Sequence, residues 1–194
     1  SAASDYPSAG DVQLGQENVL QLAWLKVGAS RATNTSLAGP GGGVGGASLA
    51  GAGGTMEFRS GLVNPTLTMR GVDGVSALGN VTIGDNYFMP NVNTTNTATG
   101  VMDLSGGTVD ALLTNLQIGR NNPSTTTTRT GSGQGELTWT AGTIEVTGMV
   151  RLGVQLRDNA GNATGVINVR SNAVLNLTGS NFSIGGDAGT AAGT

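Results

Sequence analysis

Four carboxylates stand at matching places in this chain: Glu57 and Asp103, then Asp110 and Glu145. Each sits between apolar neighbours, in Met56-Glu57-Phe58, Met102-Asp103-Leu104, Val109-Asp110-Ala111 and Ile144-Glu145-Val146. Paired carboxylates can cleave a glycosidic bond by acid–base chemistry, or hold Ca²⁺. Within the chain's repeat, each pair is expected one repeat apart at the same strand position, stacked on an outward face. Only two acids align in each column, however. Gln13, Thr138 and Asn168 fill the rest of the first, and Gln21 and Asn176 the rest of the second. That pattern suits outward solubilising residues better than a catalytic set. No catalytic residue, cofactor or metal is assigned, and a polysaccharide-active enzyme is the weakest of the readings kept.

Other chemistry is thinner still. The chain has no Cys and no His, which excludes disulfides, thiolate zinc sites and imidazole catalysis. Asp85-Asn86, Arg120-Asn121-Asn122, Arg157-Asp158-Asn159 and Gly186-Asp187 follow recurrent glycines. Such residues suit corners, where their side chains bond their own backbone. A Ca²⁺ site there lacks the Gly-Gly-x-Gly-x-Asp repeat of calcium-binding β-rolls. The glycine run at 39–46 lacks the Gly-Lys-Ser/Thr of a phosphate loop and reads as a flexible insertion. Trp24 and Trp139 read as core or corner residues in preference to a sugar platform. Asn-x-Ser/Thr triplets at Asn34, Asn80, Asn93, Asn162, Asn176 and Asn181 are expected by chance in a chain so rich in Asn and Thr. Asn34, Asn93 and the threonines at 125–128 lie in loops, where glycans could attach.

The elements that would position these residues repeat. The phrase apolar-x-apolar-Gly closes at Gly28, Gly84, Gly119, Gly153 and Gly185, and the last four recur at roughly 35-residue spacing. A second phrase, Gly-x-apolar-x-apolar, opens each unit at Gly10, Gly54, Gly100, Gly135 and Gly165. A third alternation lies between them: Leu20/Leu22, Leu67/Met69, Val109/Ala111, Ile144/Val146 and Leu175/Leu177. Period-2 alternation gives each strand one buried face.

Three short strands and three corners in about 20 residues describe one triangular coil of a parallel β-solenoid. The reading is therefore all-β: one domain over 1–194, a three-sided, right-handed parallel β-helix with coils near 10–28, 54–84, 100–119, 135–153 and 165–185. Stacked about 4.8 Å apart, the coils place Met56, Met102, Leu137 and Ile167 in one inner column. Ile83, Ile118, Leu152 and Ile184 form another. Phe58, Leu104, Trp139 and Val169, with Ile144, Val146, Leu175 and Leu177, complete the expected core. The closing glycines mark sharp corners. The connections at 29–53, 85–99, 120–134 and 154–164 should emerge on one flank. An antiparallel sandwich also has short, regularly spaced strands, but its strands need not resemble one another unit by unit.

Charged residues make up 11% of the chain, against roughly a quarter in ordinary domains, and the net charge is −3. One lysine and eight scattered arginines form no basic run, so nucleic acid is not an expected partner. No apolar run approaches the ~20 residues that span a bilayer.

The units GELTWTAGTIEVTGMVRLG, GVMDLSGGTVDALLTNLQIG and GVINVRSNAVLNLTGSNFSIG resemble the repeats of bacterial autotransporter-type passengers and related large surface proteins. The resemblance covers about 100–185 well, 54–84 loosely and 10–28 in outline. It does not reach the C-terminal membrane β-barrel of autotransporters. It implies an extracellular or cell-surface β-solenoid with structural or adhesive roles, extracellular glycans being one class of partner, and it carries no catalytic set. A solenoid shows an unpaired rung at each end, and no capping helix is evident. The expectation is that the next coil belongs to another copy, giving a head-to-tail filament. The alternative is a fragment of a longer surface adhesin.

Overall fold

The computed structural model describes residues 9–31, 47–50, 53–87, 97–122, 132–155, 162–179 and 181–185. The alternating phrases become strands: β1 (Ala9–Leu14), β2 (Glu17–Gln21), β3 (Trp24–Arg31), β4 (Ala47–Ala50), β5 (Gly53–Phe58) and β6 (Thr66–Arg70). β7 (Leu78–Tyr87), β8 (Ala98–Leu104), β9 (Thr108–Asn122), β10 (Gly133–Gln155), β11 (Ala163–Leu177) and β12 (Asn181–Ile184) follow. In β8 burial alternates residue by residue, with Ala98, Gly100, Met102 and Leu104 inward, as one-sided strands require.

Every strand pair among the described residues is parallel. This removes the antiparallel sandwich and fits a β-helix or solenoid-like fold. The pairs fall into three ladders. The first runs β1, β5, β8, the start of β10 and the start of β11. The second runs β2, β6, then the early part of β9 and the middle of β10 and of β11. The third runs β4, β3, β7, the ends of β9 and β10, and β12.

The opening glycines share one register: Gly10, Gly54, Gly100, Gly135 and Gly165. Val12, Met56, Met102, Leu137 and Ile167 follow in the same ladder. Val27, Ile83, Ile118, Leu152 and Ile184 align in the third. Met56, Ile83, Met102, Leu104, Ile118, Leu137, Trp139, Ile144, Val146 and Leu152 are buried, and Phe58, Ile167 and Leu175 pack partly against them.

Three features differ from the sequence reading. First, the second ladder is shifted by two residues. Ala111 faces Ile144, and Leu113 faces Val146. A shift of two keeps every side chain on its own face, so alternation alone cannot detect it. Second, the third-ladder strands do not stop at the closing glycines. They continue to Arg31, Tyr87, Asn122 and Gln155, so the connections begin later than expected. Gly28, Gly84, Gly119 and Gly153 have φ of 65°, 70°, 68° and 63°, and each bends its strand at the same place. Neighbours bend together, and the ladder resumes in register. Third, β4 lies inside the stretch expected to be a connection. It pairs with β3 on the side away from β7. The glycine run at 39–46 lies outside the described residues.

Val169, Leu177 and Ile184 also depart from the core assignment, being 44%, 37% and 68% exposed. Their registers are inward, but β11 and β12 pair only with β10 among the described strands. Nothing described covers their other side.

The third ladder is offset against the first. A Cβ placed on Gly28 would lie 2.0 Å from the Thr99 carbonyl oxygen, one on Gly84 1.9 Å from that of Gln134, and one on Gly119 1.8 Å from that of Thr164. Each of these three glycines thus abuts the residue before an opening glycine two units later. In return, Gly100 lies against the Val27 carbonyl and the Gly84 nitrogen. Consequently β3 touches both β5 and β8, and β7 touches both β8 and β10.

Candidate functional site

The residues just past the closing glycines form the most concentrated polar group in the described structure. Asp85 on β7 and Arg120 on β9 are register partners. Arg120 donates through Nε to Asp85 Oδ1 at 2.6 Å and through Nη2 to Oδ2 at 2.7 Å. Lys26 Nζ, on β3, reaches the same Oδ2 at 2.8 Å. Burial pushes the Asp85 carboxyl up, but the Arg120 guanidinium and Lys26 ammonium outweigh it and hold it below the usual Asp value. Beside this cluster, Asn86 donates to Asn121 at 3.0 Å, both buried.

This cluster spans three neighbouring strands and occupies both oxygens of its carboxylate. It is neither an acid–base pair nor an open metal site; it clamps turns together. Among the described residues no three His, Cys, Asp or Glu gather to hold a metal. The earlier reading of Asp85-Asn86 and Arg120-Asn121 as self-bonded loop corners is therefore corrected: they are strand residues bonded to each other. The corners after Gly153 and Gly185, at 157–159 and 186–187, lie outside the described residues.

The four candidate carboxylates divide. Glu57 and Asp103 are register partners, and Asp103 Oδ1 accepts the Ser105 backbone N–H at 2.9 Å. Asp110 and Glu145 are not partners, because of the two-residue shift: Asp110 faces Thr143, and Glu145 faces Leu112. Arg70 Nη2 donates to Asp110 at 2.7 Å, and Thr178 donates to Glu145 at 2.9 Å. The Asp110 side chain is 65% exposed, so Asp110→Asn should cost less than about 1 kcal/mol in urea unfolding.

Trp24 and Trp139 are buried, so neither presents a face to a sugar. Of the Asn-x-Ser/Thr sites, Asn80 accepts a bond from Asn115 at 3.0 Å and is half-buried, while Asn162, Asn176 and Asn181 are exposed. Asn34, Asn93 and threonines 125–128 lie outside the described residues. No described helix is long and apolar enough to cross a membrane. One exposed loop is locally fixed: Asp73 Oδ1 accepts from the Val75 and Ser76 backbone N–H and the Ser76 hydroxyl, and these bonds lower its pKa.

The second unusual feature is the last rung. Phe182 and Ile184 on β12 are exposed at 46% and 68%. Their register mates Val150 and Leu152 on β10 are buried. Val169 and Leu177 on β11 repeat the contrast with Trp139 and Val146. Gly153 differs from its equivalents too: the nearest atom to a Cβ there would be the Ala163 oxygen at 3.1 Å. The tight neighbour found at Gly28, Gly84 and Gly119 is absent among the described residues. An apolar parallel edge of this kind is a template for a further strand.

Comparison with protein-family models, with curated proteins and with solved structures finds no match. The likeness to surface-protein passengers rests on the repeated phrases alone.

Proposed function

We propose that the chain is a structural, extracellular β-solenoid subunit that elongates head to tail into a fibre. Its rod is a right-handed coil of about five three-sided turns, with variable loops on one flank. The observation that carries this reading is the last rung. Val169, Leu177, Phe182 and Ile184 hold inward core registers yet are exposed, with no described strand beyond them. Burying large apolar side chains of this kind is worth about 1.5–3 kcal/mol each, and a parallel strand would also satisfy the open backbone edge. The contact joins one end of a copy to the other end of the next, so it propagates without closing.

A second reading, a segment of a longer cell-surface adhesin whose continuing chain supplies the next turn, uses the same edge. Electron microscopy of the purified 194-residue chain separates the two. Uniform fibres, with turns spaced near 4.8 Å, support assembly; a monomer that persists at high concentration supports the passenger segment. Ile184→Lys should leave the monomer folded, since the side chain is already exposed, while raising the critical concentration by about tenfold or more.

A further inference from the structure

Seamless stacking requires a particular place to be free. A third-ladder strand touches two successive first-ladder strands: β3 touches β5 and β8, and β7 touches β8 and β10. By that rule β12 should touch the two first-ladder strands that follow β11. If these are β1 and β5 of a second copy, that copy's β1 pairs with β11 and its β3 pairs with β12. Within one chain, however, β4 already holds this position. It pairs with the free side of β3 and touches β1 and β5.

The registers coincide as well. Ala47, Ser48 and Leu49 stand opposite Leu25, Lys26 and Val27. Following those same three columns through β7, β9 and β10 leads to Phe182, Ser183 and Ile184. Ala47-Ser48-Leu49 is thus a smaller version of the last strand, in the last strand's place.

We infer that β4 is an internal stand-in for the β12 of a preceding copy, and that fibre growth proceeds by exchange of one for the other. This rests on the head-to-tail reading and adds the partner segment and the gate. The exchange is an addition of a strand to a sheet edge. It replaces Ala47 and Leu49 by Phe182 and Ile184, whose apolar surface is exposed in the free chain and covered in the fibre. While β4 is seated, the free chain is protected from premature association.

The chain has no cysteine, which permits a clean test. Ala29 and Ala50 are register partners across β3 and β4, so Ala29→Cys with Ala50→Cys places two thiols within disulfide reach. The oxidised protein should stay monomeric where the reduced protein forms fibres at the wild-type rate. In parallel, Leu49→Pro removes the ladder donor that β4 directs at β3 and should shorten the lag before growth by about threefold or more. Circular dichroism checks that each variant keeps its strands. Fibres from the oxidised form at the reduced rate would overturn the role of β4 and leave head-to-tail assembly standing. If neither wild type nor Leu49→Pro ever assembles, both the exchange and the fibre are wrong.

Discussion

Gly84→Ala should cost more than about 4 kcal/mol, a large share of the 5–15 kcal/mol that stabilises a typical domain. Two effects combine. The residue has φ of 70°, where an L side chain costs roughly 1–2 kcal/mol. In addition, the new Cβ would stand 1.9 Å from the Gln134 carbonyl oxygen and 2.7 Å from the Gly135 nitrogen. Both neighbours are backbone, held by their own ladder, so relief requires the two faces to separate. Gly106→Ala is the control. It has φ of 87° but nothing within 4 Å of a Cβ, so only the conformational cost of roughly 1–2 kcal/mol remains. Gly10→Ala, with open space and no positive φ, should be nearly neutral. Urea melts of the three give the ranking. Equal losses at Gly84 and Gly106 would mean that the close approach of the faces does not exist in solution.

Asp85→Ala should be the second costly change. It removes the buried carboxylate that Arg120 and Lys26 share. Breaking a buried ion pair costs about 3–5 kcal/mol; the lower end applies because Lys26 and Arg120 side chains are 17% and 14% exposed. The pH dependence has a definite sign. The folded pKa of Asp85 lies below its unfolded value, so its ionised form stabilises the fold above about pH 4, and that contribution is lost as pH falls through the folded pKa. The gap between wild type and Asp85→Asn should therefore be flat from about pH 5 to 8 and close at lower pH. Asp73, also depressed, is common to both proteins and cancels. A gap that widened in acid would contradict the cluster.

Much of the strand pattern was readable, because burial on a one-sided strand leaves a period-2 trace. The opening glycines and the Met56–Met102–Leu137 column could be aligned from their phrases. The second ladder could not, since Val109, Ala111 and Leu113 all point inward and two registers satisfy the alternation. The ion cluster hid for a different reason. Asp85 and Arg120 each directly follow a closing glycine, and their opposite charges at one offset were visible. In sequence they read as loop because glycine ordinarily ends a strand, whereas here it bends the strand and lets it continue. β4 left no comparable trace: Ala-Ser-Leu-Ala, beside a glycine-rich run, has little periodicity to detect.

The offset between faces also alters how such a rod should fail under load. In an ordinary repeat array each unit holds only its neighbours, and ends fray one unit at a time. Here Gly28 is wedged against Thr99, Gly84 against Gln134 and Gly119 against Thr164, so each turn is keyed to the turn beyond the next. Peeling one turn from an end uncovers a wedge that still grips deeper material. Rupture should then proceed in steps of two turns, and a single missing turn should weaken resistance to pulling on both sides of the gap.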